Sequence, residues 1–144
     1  LVEIGFLWFM EPWRRKVGPE RLLVLGGAGA LVRWTCLAFS PPLWLLVPVQ
    51  ALHSMTFTAT FIGALQLIER LSPARSASAA QTLNSALSGG IFIGLASMAS
   101  GMLFDSVGAL GYLAMSACAA LGLVGALFLK PLQRARGIEL QTLS

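Results

Sequence analysis

Charged residues are scarce in this chain of 144 residues. Asp, Glu, Lys and Arg together make up 11% of it, hydrophobic residues make up 56%, and the mean hydropathy is +0.77. A soluble domain typically carries about 25% charged residues. So few charges cannot cover a surface that faces water, which excludes an ordinary soluble fold. We therefore expect lipid to be the solvent of much of the chain.

Histidine and cysteine are also rare, with one and two residues respectively. Cys36 and Cys118 both lie inside apolar runs, where cysteine behaves as a small hydrophobe. The spacing indicates neither a disulfide framework nor a metal site, and we expect no metal and no cofactor. A membrane-embedded enzyme would need a convergent set of nucleophile, base or metal. One His and one deep Glu do not supply such a set, so this function is the least favoured.

The apolar runs predict helices that cross a membrane. They are about twice as long as the strands of a membrane barrel and lack the alternation of such strands, so the chain is predicted to be an all-α integral membrane protein with about five transmembrane helices. Residue 1 is Leu inside an apolar run, and we expect it to lie within a longer protein. The predicted segments are a truncated helix at 1–12, a cytoplasmic loop at 13–21, transmembrane helices at 22–40, 43–69, 77–104 and 109–129, and a cytoplasmic tail at 130–144.

Basic residues occur on alternate loops. Nine of the ten Lys and Arg fall in the first loop, the third loop or the tail region, and the tenth, Arg33, is inside a membrane run. Loops rich in Lys and Arg face the cytoplasm. The pattern therefore predicts a multi-pass protein of the plasma (inner) membrane with a cytoplasmic C-terminus. Since these cations are explained by topology, we do not expect nucleic acid as a partner.

Four polar residues lie deep in the apolar runs: Glu3, Arg33, Gln50 and His53. A charge at the middle of the bilayer costs at least about 2.5–3.5 kcal/mol, and such residues normally face the bundle interior. Glu3 and Arg33 are natural partners, and His53 can carry a proton near neutral pH. Three alternatives remain open: Arg33 extends to the outer interface, His53 is a packing residue, and Glu3 is only a structural partner of Arg33.

Two further polar groups lie nearer the cytoplasmic side. Gln81 and Asn84 are three residues apart, so they can line a cavity or bind a neighbouring helix through hydrogen bonds. Glu69, Arg70 and Arg75 can form a cytoplasmic gate or simply a solvated loop, and we slightly favour the loop because exposed ion pairs contribute less than about 1 kcal/mol.

In the loop at 13–21, the basic residue Lys16 is followed by Gly18 and then by a second basic residue, Arg21, just before the next helix. This pattern resembles a cytoplasmic loop motif of the major facilitator superfamily. Trp13 stands where an Asp is usual. The stretches 2–4, 31–34, 50–57, 80–83 and 101–108 resemble the phenylpropionate permease-like branch, in order, as helices eight to twelve of a twelve-helix fold.

This resemblance implies a secondary active transporter, a proton symporter for a small organic solute such as the aromatic carboxylate 3-phenylpropionate. Its partners would be the solute, the proton, the lipid bilayer and the missing N-terminal half of the same chain. Glu3 would take the proton or balance Arg33, Arg33 would attract the anion, and Gln50 and His53 would contact solute or relay protons. A receptor or assembly protein on the same scaffold remains an alternative, favoured mildly by Trp13 and disfavoured by the deep polar residues.

Overall fold

The computed structural model describes residues 17–135, and in this part of the chain every regular element is helical. The elements are α1 (Pro19–Ala38), α2 (Leu43–Leu71), α3 (Ala77–Ser85), a π-helical segment (Ala86–Phe92), α4 (Ile93–Val107), a 3-10 turn (Gly108–Gly111) and α5 (Tyr112–Ala135). The predicted all-α membrane fold is confirmed. Three described stretches, Pro19–Ala38, Leu43–Leu71 and Ala77–Gln133, are long and apolar enough to cross a membrane. The helix predicted at 1–12, with Glu3, and the loop residue Lys16 lie outside the described residues.

The third stretch folds back on itself at Gly108. A straight helix of 57 residues would be about 85 Å long, far more than the hydrocarbon thickness of about 30 Å. Gly108 has φ +61°, a left-handed conformation that stops the helix after Val107 rather than at residue 104 as predicted. Beyond it, the Tyr112 ring packs against the Phe104 ring in a tilted arrangement, with ring centroids 6.3 Å apart. Helices α4 and α5 are therefore antiparallel where they leave the turn.

Helix α1 is the centre of the described bundle and packs against both α2 and α5. On the α2 side, Gly26 lies against Thr60. On the α5 side, the hydroxyls of Thr35 and Ser116 are hydrogen-bonded at 3.0 Å. Both neighbours run antiparallel to α1, so the end of the bundle at which α1 begins is the end at which α2 and α5 finish. The buried hydrophobic residues are Leu22, Ala38, Val49, Ile62 and Ala126.

The arm formed by α3, the π-helical segment and α4 contributes no buried residue. Many of its large apolar side chains are exposed within the described structure, and Phe92, Met98 and Met102 are each more than 60% exposed. Gly94 and Gly101, which the sequence places on one small-residue stripe, have no neighbour within 4 Å of where a side chain would begin. The arm therefore presents an apolar surface suited to lipid or to further protein.

Helix α5 runs past the end predicted for it. The helix predicted at 109–129 ends before Lys130 and Pro131, on the ground that proline does not continue a helix, but α5 continues to Ala135 with Pro131 inside it. The prediction overrated proline as a helix stop, because Pro removes one backbone donor and membrane helices tolerate that loss. The added turn places Gln133 on the helix, where it is buried.

Candidate membrane-embedded site

Arg33 is a buried charged residue of α1. It lies on the α1 face that also carries Gly26 and Gly29, and this face packs against Thr60 and Thr56 of α2. The small residues let the two backbones approach closely. As a result Arg33 is only 8% exposed in the described structure.

An aromatic shelf lies beside this arginine. The guanidinium carbon of Arg33 is 3.9 Å from the centroid of the Trp34 ring, a cation–π contact. Trp34 in turn stacks on Tyr112 of α5, with centroids 5.6 Å apart and planes 25° apart. Sequence reasoning missed the shelf. Trp34 adjoins Arg33 in the chain and could have been noticed, but Tyr112 is brought there only by the packing of α5 on α1.

The charge of Arg33 has no carboxylate partner among residues 17–133. Its buried Nε–H has no hydrogen-bond acceptor there, and Glu3, the partner predicted from the sequence, lies outside the described residues. A buried donor without an acceptor is costly. An arginine in this state is suited to bind a carboxylate, which accepts two parallel hydrogen bonds from its planar fork.

Gln50 and His53 lie on α2 at about the level of Arg33. The antiparallel register that sets Gly26 against Thr60 brings Arg33, two turns further along α1, level with residues 49–53 of α2. His53 is half-buried, and its ring centroid is 6.2 Å from that of Phe57. Gln50 is exposed in the described structure. The structure thus brings the arginine and the histidine to one depth on neighbouring helices.

Gln81 and Asn84 belong to a different part of the molecule. Both are half-buried on α3, which packs against α2. Neither belongs to α1 or α5, the two helices that carry Arg33, Trp34 and Tyr112. The cavity lining predicted for them therefore rests on the sequence pattern alone.

A salt bridge links α1 and α2 at the end of the bundle where α1 begins. Arg70, at the end of α2, donates from its guanidinium to Glu20 of α1 at 2.8 Å, and the Glu20 side chain is 6% exposed. Glu69 and Arg75, the other members of the gate or solvated loop considered from the sequence, are exposed. Sequence reasoning missed the Glu20–Arg70 pair, although loop parity places both residues on one side of the membrane.

Two residues of the loop motif lie at this same end. Gly18 precedes α1 with φ +78°, a conformation that favours glycine. Its carbonyl accepts a hydrogen bond from the Leu22 N–H at 3.1 Å. Arg21 is exposed on the first turn of α1. Gly18 therefore forms the turn that leads into α1, and Arg21 lies on the first turn of that helix.

Comparison with known proteins identifies the family. The sequence model of the MFS_1 like family matches residues 1–114. This chain belongs to that family. It is also 27% identical over 105 residues to a protein of Bacillus subtilis (strain 168) called uncharacterized transporter YwbF, an alignment that covers 73% of the chain and 26% of the relative. No solved structure matches the chain. The predicted membership of the major facilitator superfamily is confirmed.

The alignment also shows how much of the relative's length this chain spans. The aligned part of this MFS_1 like chain corresponds to about a quarter of the relative's length.

Proposed function

We propose that the whole protein is a secondary active transporter of a small organic anion, and that Arg33 binds the carboxylate of the solute. The observation that carries the proposal is the buried guanidinium whose Nε–H lacks an acceptor among the described residues. An ionisable residue inside a membrane bundle is by default a functional-site hypothesis. Transporters of this kind hold their solute near the bilayer midplane and rearrange their two halves around it.

The aromatic shelf favours an aromatic carboxylate. Trp34 and Tyr112 present stacked rings directly beside the guanidinium. An aromatic ring of the solute can stack on such a surface while its carboxylate reaches Arg33. A solute such as 3-phenylpropionate has both groups, joined by a short flexible linker, and is the compound that we would test first.

We further propose that a proton moves with the solute. Histidine is the side-chain type best suited to exchange a proton under physiological conditions, and His53 lies at the depth of Arg33. Glu3 is the acidic residue that would take the proton or balance the arginine. Gln50 would contact the solute. In the proposed arrangement the basic end of the bundle, with Arg21, Arg70 and Lys130, faces the cytoplasm of the plasma membrane.

The test is uptake of labelled 3-phenylpropionate by the full-length protein in liposomes, with and without an inward proton gradient. Arg33→Gln should reduce uptake at least about 100-fold, because a bidentate charged contact contributes about 3 kcal/mol or more. Arg33→Lys should recover little, since lysine lacks the planar fork. Arg75→Gln, which removes an exposed arginine of the loop, is the matched control and should transport normally. Unchanged uptake by Arg33→Gln would refute the proposed role of this residue.

A pair of solutes tests the shelf separately. Cyclohexylpropionate keeps the carboxylate and the size of phenylpropionate but loses the aromatic face. Wild type should prefer the aromatic acid by about 2- to 10-fold, the range of an aromatic pair worth about 0.5–1.5 kcal/mol. Trp34→Leu should remove that preference while leaving carboxylate-dependent uptake in place. Equal preference in wild type and Trp34→Leu would show that the shelf does not select the solute.

A further inference from the structure

A groove opens between the beginning of α1 and the end of α5, away from the Arg33 shelf. It has a volume of about 560 Å³, within the range of small-molecule sites. Its lining has two zones. The polar zone comprises Glu20, Arg21 and Lys130, and the apolar zone comprises Val17, Val24, Leu25, Ala126 and Leu127.

The polar zone carries net positive charge. The carboxylate of Glu20 is already paired, since its Oε1 accepts from Arg70 at 2.8 Å. Arg21 and Lys130 form no salt bridge with any described residue, so the groove presents two uncompensated cations. The N-terminus of α1 lies at the same place and adds the partial positive charge of a helix start.

A buried amide lies one turn beyond Lys130 on α5. Gln133 is 5% exposed, and neither its Nε2 nor its Oε1 has a hydrogen-bond partner in the described structure. It follows Lys130 by three residues and Ala126 by seven, so the three share one face of α5. The α5 face that carries the groove residues Ala126 and Lys130 therefore continues, beyond the groove, to a buried amide.

We propose that this groove binds one anionic phospholipid of the leaflet at the basic end of the bundle. The two zones match the two parts of such a lipid. The phosphate and its headgroup would lie against Arg21 and Lys130, and the upper part of an acyl chain would lie along Leu25 and Leu127. Basic pockets between transmembrane helices on the cytoplasmic side suit anionic headgroups, and a soluble phosphate would leave the apolar zone unused.

The experiment counts lipids on the full-length protein by native mass spectrometry. The purified protein is titrated with phosphatidylglycerol or with phosphatidylcholine of the same acyl chains. Wild type should bind one phosphatidylglycerol more tightly than any phosphatidylcholine. The double variant Arg21→Gln/Lys130→Gln should weaken that binding about 30-fold, because each cation near an anionic lipid contributes about a factor of five. Arg75→Gln, which removes an arginine outside the groove, should bind as wild type does.

A second variant tests the apolar zone without changing charge. Leu127 is 55% exposed, so Leu127→Trp should fill the groove and displace the lipid while leaving the fold intact. Three results would overturn the proposal: the same binding in the double variant as in Arg75→Gln, no preference for phosphatidylglycerol in wild type, and displacement of the lipid by inorganic phosphate at equal concentration. The second would mean that the two cations do not select the headgroup, and the third that the groove holds phosphate alone.

Discussion

The contact of α1 with α2 gives a sharp prediction at Gly26. A Cβ added there would meet the Cγ2 atom of Thr60, and it would also lie 3.1 Å from the Thr56 carbonyl oxygen and 3.2 Å from the Thr60 backbone nitrogen. The side-chain methyl can move, but the two backbone atoms can yield only if the helices separate. Overpacking of this kind costs about 1–3 kcal/mol. Because the new Cβ would also press on backbone atoms, we expect the cost of Gly26→Ala to lie near the upper end of this range.

Alanine also has an advantage over glycine in any helix, and it must be subtracted. The gain is about 1 kcal/mol, so Gly26→Ala should lower the free energy of unfolding by about 2 kcal/mol net. Gly122 is the matched control, since it lies in α5 and nothing is within 4 Å of the position of its missing Cβ. Gly122→Ala should therefore be neutral or stabilising by up to about 1 kcal/mol.

A second substitution shows whether Thr60 is the cause. Thr60→Ser removes the methyl that the new Cβ would meet. It keeps the hydroxyl that donates to the carbonyls of Thr56 and Phe57 at 2.8 and 3.0 Å. The cost of Gly26→Ala should fall by about 1 kcal/mol in the Thr60→Ser background, the scale of one buried methyl.

The assay is unfolding of the purified full-length protein by titration with a denaturing detergent, followed by circular dichroism. The four proteins of the cycle and Gly122→Ala are compared under one condition. If Gly26→Ala is as stable as Gly122→Ala, the close approach of α1 and α2 described here is wrong. If Thr60→Ser does not reduce the cost, the backbone contacts alone account for it.

Two further pairs can be tested in the same way. Arg70→Gln should destabilise the protein by about 2–3 kcal/mol, because it leaves the buried Glu20 carboxylate unpaired. Glu20→Gln should cost about 1 kcal/mol or less, because Arg70 can turn to water. Equal costs for the two variants would mean that the carboxylate is not buried. Ser116→Ala should lower the free energy of unfolding by at most about 1 kcal/mol, because Thr35 keeps its 2.8 Å hydrogen bond to a backbone carbonyl one turn earlier. A larger decrease in stability would show that the hydroxyl pair organises α1 against α5.

The positions of the helices follow from features that are readable in the sequence. The runs predicted at 22–40, 43–69 and 109–129 fall on α1, α2 and α5, since prolines and polar clusters separate apolar stretches long enough to span a bilayer. The differences arise at helix ends. Pro131 does not stop α5, and Gly108 rather than the polar residues before it ends α4. The backbone geometry of Gly108 decides the end of α4, and the helix continues through Pro131. Hydropathy registers neither feature.

The site was only partly predictable. A charged residue in an apolar run singles out Arg33 without any structure. Its contact with an aromatic shelf was not predictable, because Trp34 and Tyr112 meet only when the register of α1 against α5 is known. The partner of Arg70 was missed for a related reason. Glu69 and Arg75 are its neighbours in sequence, but Glu20 is its neighbour in space.

Glu20 and Arg33 are both buried charges, but their surroundings predict opposite effects of mutation on stability. Removing the paired charge should destabilise the fold, and removing the unpaired one should not. Glu20 has its partner in Arg70, whereas Arg33 has no carboxylate among the described residues. Replacing an unpaired buried charge with an apolar side chain of similar size should be neutral or stabilising by about 1–4 kcal/mol, by analogy with buried ion clusters. Arg33→Met should therefore unfold no more easily than wild type and yet lose uptake.

Detergent titration and liposome uptake on the same Arg33→Met preparation test this expectation. Glu3→Gln/Arg33→Met is the companion variant, because it removes the acidic partner predicted from the sequence as well. If only the single variant is unstable, Glu3 pairs with Arg33 and the loss of uptake must be judged in the double variant. If both are as unstable as Arg70→Gln, Arg33 supports the fold, and its burial is no argument for solute binding.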